Sequence, residues 1–102
     1  MSDFVTVAII DEIPPGERLV VEFKRNWVVI FNVDGTLYAV EDRCSHEEYP
    51  LSDGYIVDCE IECAKHGARF DLRDGHVTAP PAFSPIKVFK VQVEDGNVQI
   101  AK

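Results

Sequence analysis

The sequence predicts an all-β protein of antiparallel hairpins, on three observations. Val, Ile, Phe and Tyr are frequent and long Ala/Leu stretches are absent, a composition that suits a pleated, half-buried surface. Apolar residues come in short runs of strand length, such as Phe4 to Ile10 and Asn26 to Val33. The turn dipeptide Asp-Gly, which tolerates positive φ, stands at 34–35, 53–54, 74–75 and 95–96. The segments between these turns do not resemble each other, so the spacing reflects regular strand length and not an internal repeat. With 102 residues and 46% of them apolar, the chain is one ordered domain, 1–102.

In chain order, Phe4 to Ile10 reads as a first strand, and Pro14-Pro15-Gly16 breaks it with a turn. Glu17 to Phe23 places Leu19, Val21 and Phe23 on one face. Asn26 to Val33 is an apolar strand, and Asp34-Gly35 turns it into the return strand Thr36 to Val40. Glu47 to Ser52 reads as loop or a single helical turn. Tyr55 to Val57 is a strand, as is the segment Arg69 to Leu72, which Asp74-Gly75 reverses into His76 to Thr78. Ala79 to Pro85, with three prolines, is an extended, stiff loop. Ile86 to Val93 reads as one longer strand, and the Asp95-Gly96 hairpin leads to Val98–Ile100. Trp27, Phe31 and Phe89 are assigned to the core.

The chemistry lies in two mixed pairs. Cys44-Ser45-His46 is separated by sixteen residues from Cys63-Ala64-Lys65-His66-Gly67. Four of the six Cys and His residues of the chain thus fall into C-x-H and C-x-x-H. Thiolate and imidazole are ligands for zinc and for iron–sulfur centres. Zinc fingers usually group Cys with Cys and His with His on a helix. Here each segment is mixed, so each can give one ligand to each iron of a two-iron Cys₂His₂ centre. A zinc site built from the same four residues stands as the alternative. Cys59 and His76 lie outside the pattern. They read as a buried structural thiol and a solvated turn residue.

These motifs, with Pro80-Pro81 downstream, resemble Rieske-type [2Fe–2S] ferredoxins, in particular the small ferredoxins of bacterial ring-hydroxylating oxygenase systems for aromatic compounds. The resemblance covers essentially the whole chain. It implies a β-sandwich base pairing the two ends of the chain, with a smaller cluster-binding insertion at roughly 41–83. It implies one [2Fe–2S] cluster, with Cys44 and Cys63 on one iron and His46 and His66 on the other, and Pro80-Pro81 as a covering loop. The implied role is a soluble one-electron carrier, not an enzyme. It would accept electrons from an NAD(P)H-dependent flavin reductase and deliver them to a terminal oxygenase. A subunit of another oxidoreductase, such as a nitrite reductase, is the alternative within redox chemistry. A zinc-stabilised binding module is the alternative outside it.

Two departures separate the chain from respiratory Rieske proteins. Those carry a disulfide across the cluster loops, whereas Tyr49 and Lys65 occupy the corresponding neighbourhood here. They also place Ser and Tyr hydroxyls after the second pair, where this chain has Ala68 and Phe70, which donate nothing. Without hydrogen bonds to sulfur, the expected potential lies at the low end of the Rieske range, about −150 mV. The net charge of −8, from 18 acidic and 10 basic residues, disfavours nucleic acid and anionic lipid as partners. It suits solubility first, and as a sharper reading steering toward positively charged faces of redox partners. Three Cys without a signal-like N-terminus point to the cytoplasm, and a monomer is expected.

Overall fold

Among its described residues the polypeptide forms eleven strands, and all the pairings between them are antiparallel. The structure, a computed structural model, describes residues 3–44, 49–65, 67–80, 82 and 84–101. The strands are β1 (Phe4–Ile9), β2 (Arg18–Phe23), β3 (Asn26–Val33), β4 (Thr36–Glu41), β5 (Tyr55–Val57), β6 (Glu60–Glu62), β7 (Arg69–Asp71), β8 (Val77–Ala79), β9 (Val88–Phe89), β10 (Val91–Glu94) and β11 (Asn97–Ala101). Single 3₁₀ turns occupy Ile10–Glu12 and Leu51–Asp53. Three sheets result, ordered β1-β11-β10, β2-β3-β4-β9 and β5-β6-β7-β8. Phe4 faces Ala101 across β1 and β11, so the two ends of the chain close one sheet.

β3 explains how the parts fit. Its odd and even residues go to opposite faces. Val28 and Ile30 enter one apolar cluster with Ile13, Val98 and Ile100. Val29 and Phe31 enter a second cluster with Leu51, Ile61, Phe70 and Leu72. The strand is therefore apolar from Val28 to Phe31, where it is buried on both sides. Its first face holds the base together, and its second face seats the β5–β8 sheet. Full burial of side chains the size of Phe31 and Phe70 contributes about 1.5–3 kcal/mol each.

The turns at Asp34-Gly35 and Asp95-Gly96 have positive φ at both residues, the twist that lets strands of a two-residue hairpin stay paired. Lys24-Arg25 adopts the same backbone, at φ 50° and 67°, without any glycine to announce it. Asp53-Gly54 is not a hairpin turn. Gly54 is extended at φ −86°, and glycine is required there because a Cβ would sit 2.2 Å from the Glu62 carbonyl oxygen.

Two expectations are corrected. Ile86 to Val93 is not one strand, because Val88 and Phe89 pair with β4 whereas Val91 to Glu94 pair with β11. A corner of a sandwich needs a segment that leaves one sheet for the other, and the break falls at Lys90, whose carbonyl accepts the Ala101 N–H at 3.0 Å. Trp27 is not core but 62% exposed, whereas Phe31 is buried and Phe89 is half-buried in an edge-on contact with Phe23. On β3 the buried stretch begins only at Val28.

Candidate metal centre

Both cysteines of the paired motifs follow strands directed at the same place. Cys44 comes three residues after the end of β4, and Cys63 immediately follows β6. The two loops differ in spacing but close alike. The Cys44 N–H donates to the Tyr49 carbonyl at 2.9 Å, and the Cys63 N–H donates to the Ala68 carbonyl at 2.7 Å, five residues on in each case. In the second loop the Gly67 N–H also donates back to the Cys63 carbonyl at 3.0 Å, and Gly67 takes φ +76°, a conformation that glycine adopts without a Cβ penalty. His46, His66, Pro81 and Phe83 lie outside the described residues.

The two thiols are 1% and 2% exposed and belong to one apolar cluster with Leu51, Ile61, Ala68, Phe70 and Ala82. No disulfide joins Cys44, Cys59 or Cys63. Lys65 instead reaches across to the first loop, with its ammonium 5.9 Å from the Tyr49 ring centre. Ala68 and Phe70 are fully buried. Two buried sulfurs in apolar surroundings suit a soft metal centre. Among the described residues no group of three His, Cys, Asp or Glu gathers, since both histidines of the motif fall outside them. Pro80 is exposed, and it is Ala82 that anchors the proline-bearing segment to the thiol cluster.

The stems of the loops are tied to the base by contacts far apart in the chain. The Asp42 carboxylate accepts the Ser52 N–H at 2.6 Å and the Ser52 hydroxyl at 2.8 Å. The Asp42 N–H donates to the Trp27 carbonyl at 2.8 Å. Arg18 of β2 donates to the Ser52 and Gly54 carbonyls. Nothing in the local sequence marks these residues, because their partners are defined only once the insertion packs on the base.

Cys59 is half-buried, not fully buried, and is hydrogen-bonded to Tyr38 of β4. That bond pushes the Tyr38 hydroxyl above its ordinary range, with burial adding to the effect. Nearby, Asp71 is buried and holds Arg73 through both carboxylate oxygens, at 2.9 and 2.6 Å. These bonds lower the Asp71 carboxyl to about 2. His76 is exposed beside the β7–β8 turn, where its hydrogen bond to Asp74 raises its pKa.

Residues 3–90 match the Rieske [2Fe–2S] domain. The chain belongs to the Rieske [2Fe–2S] domain family. It is 40% identical over 98 residues to the biphenyl dioxygenase ferredoxin subunit of Pseudomonas sp. strain KKS102, covering 95% of this chain and 90% of that one. The ferredoxin of carbazole 1,9a-dioxygenase from Nocardioides aromaticivorans IC177 superposes with a TM-score of 0.91 at 32% identity, over 98% of each chain. A ferredoxin solved in a complex of reduced oxygenase and oxidised ferredoxin in carbazole 1,9a-dioxygenase gives a TM-score of 0.89 at 29% identity. The match covers 99% of this chain and 94% of that one. The cofactor of this Rieske protein is one [2Fe–2S] cluster, which sets the zinc alternative aside. It is an electron-transfer component and not a catalyst. No helix among the described residues is long and apolar enough to cross a membrane.

Proposed function

We propose that this Rieske ferredoxin carries single electrons from an NAD(P)H-dependent flavin reductase to the terminal oxygenase of a ring-hydroxylating dioxygenase system. The observation that carries the reading is the pair of buried cysteines on two loops closed by the same five-residue backbone bond, in a chain whose relatives are dioxygenase ferredoxins along nearly their full length. Cys44 and Cys63 are assigned to one iron as thiolates, and His46 and His66 to the other. When bound, the cluster supplies a one-electron couple. The surrounding apolar side chains keep water from the sulfurs, and Ala68 and Phe70 offer the cluster no side-chain hydrogen bond. The low potential this favours suits an acceptor of NAD(P)H-derived electrons.

The chain acts as one Rieske domain over 1–102, with the insertion at about 41–83 holding the cluster, and as a monomer. The proposed compartment is the cytoplasm. Electron paramagnetic resonance of the purified protein before and after dithionite tests the reading. A silent oxidised form and a reduced signal of low average g support the Cys₂His₂ two-iron centre. Zinc in place of iron would refute it. Cys63→Ser and His66→Ala are each expected to lose the cluster and electron transfer together. An intact cluster spectrum in either variant refutes the ligand assignment.

A further inference from the structure

One side chain of the base holds the segment that lies between the two cysteine loops. Arg18 opens β2 and lies opposite Phe31 of β3. Its guanidinium carbon stands 4.8 Å from the centre of the Phe31 ring, a stacking that holds a planar cation in place. From that seat, one terminal nitrogen donates to the Ser52 carbonyl and to the Gly54 carbonyl, each at 2.9 Å. The two acceptors lead in different directions. Ser52 is gripped by the Asp42 carboxylate, and Asp42 is two residues before Cys44. Gly54 lies against the backbone of Glu62 so closely that no Cβ fits between them, and Glu62 directly precedes Cys63.

We propose that Arg18 is a positioning residue for the cluster, setting the separation of the Cys44 and Cys63 loops by locking the Leu51–Gly54 segment between them. The proposal rests on the reading that Cys44 and Cys63 hold the cluster. Ser52 lies inside the 3₁₀ turn Leu51–Asp53 and Gly54 is its C-terminal cap residue. The last carbonyls of such a turn need donors from elsewhere, and Arg18 is the donor for these two. A charged donor shared between two carbonyls is stronger than a neutral bond, and the site is partly buried, so water replaces it poorly.

The test compares holoprotein variants by the rate of iron release to a chelator and by the reduced-state paramagnetic spectrum. Arg18→Met keeps the apolar contact with Phe31 but loses both bonds. It is expected to release iron about tenfold faster and to shift or broaden the reduced signal. Tenfold corresponds to about 1.4 kcal/mol, the scale of one hydrogen bond from a charged donor. Arg18→Lys, whose ammonium can donate to both carbonyls, restores most of the rate and the line positions, a rescue that general destabilisation would not show. If Arg18→Met does not fold, Asp42→Asn, which weakens the grip on Ser52, is expected to show the same acceleration. Wild-type release and an unchanged spectrum in Arg18→Met, with Cys63→Ser devoid of iron, overturn the positioning role and leave the ligand reading standing. An intact cluster in Cys63→Ser overturns both.

Discussion

Asp71 offers the sharpest test of a buried charge within the insertion. Its side chain is 6% exposed. Its carboxylate accepts the Arg73 backbone N–H at 2.8 Å and the Arg73 guanidinium at 2.9 and 2.6 Å. Those bonds favour the charged form more than burial opposes it, and lower the carboxyl from 3.8 to about 2. A folded pKa below the unfolded one means that the contribution is complete above the unfolded value and is lost as pH falls through the folded one. The difference corresponds to roughly 2–3 kcal/mol at neutral pH. Because Arg73 is 66% exposed, solvent screening brings this to about 2 kcal/mol. At pH 3 about 1 kcal/mol of the contribution is already gone. Asp71→Asn should therefore be less stable than wild type by about 2 kcal/mol at pH 7, with the gap roughly halved at pH 3. Denaturant unfolding followed by circular dichroism at the two pH values measures both gaps. Equal stability at pH 7, or a gap that does not shrink with acid, would refute the reasoning.

Three further outcomes follow from the same contacts. Gly16 and Gly75 have nearly the same φ, +88° and +85°, but a Cβ on Gly16 meets nothing within 4 Å whereas one on Gly75 lies 2.2 Å from the Ile86 carbonyl oxygen. Gly16→Ala should cost about 1–2 kcal/mol of backbone strain, and Gly75→Ala about 3 kcal/mol or more once the Ile86 segment must also move; thermal unfolding ranks them, and the reverse order contradicts the geometry. Tyr49→Leu removes the Lys65 contact between the two loops, worth about 0.5–1 kcal/mol, so iron release should quicken about two- to fivefold. Ala68→Ser introduces a hydroxyl in the loop whose carbonyl receives the Cys63 N–H; a hydrogen bond favouring the reduced cluster by about 1 kcal/mol raises the potential by about 40 mV, and a potentiometric titration showing no rise argues against sulfur hydrogen bonding there.

Much of the fold is legible because its signals are local. The apolar run Asn26–Val33 coincides with β3, and Asp34-Gly35 and Asp95-Gly96 are hairpin turns because backbone twist at a two-residue turn demands positive φ. The alternation of Leu19, Val21 and Phe23 survives as the inward face of β2. Asp53-Gly54 misleads because glycine serves there to let the Glu62 backbone approach, not to turn the chain. The split of Ile86–Val93 is invisible for a related reason. Both halves have strand composition, and only the partner differs.

By itself, the sequence points to the class of the protein and to its [2Fe–2S] cofactor, since the Cys-x-His and Cys-x-x-His pairs are compact enough to stand out as candidate ligands. Tertiary structure decides how the loops are held. Arg18 reaches Ser52 and Gly54 from 34 and 36 residues away, Asp42 reaches Ser52 across the first loop, and Lys65 meets Tyr49 where a disulfide stands in respiratory relatives. Tyr38 and Cys59 likewise pair only across the junction of base and insertion. Each of these contacts depends on β3 being buried on both faces. A strand's pattern shows that it is buried, but its neighbours are chosen by the packing of the whole chain.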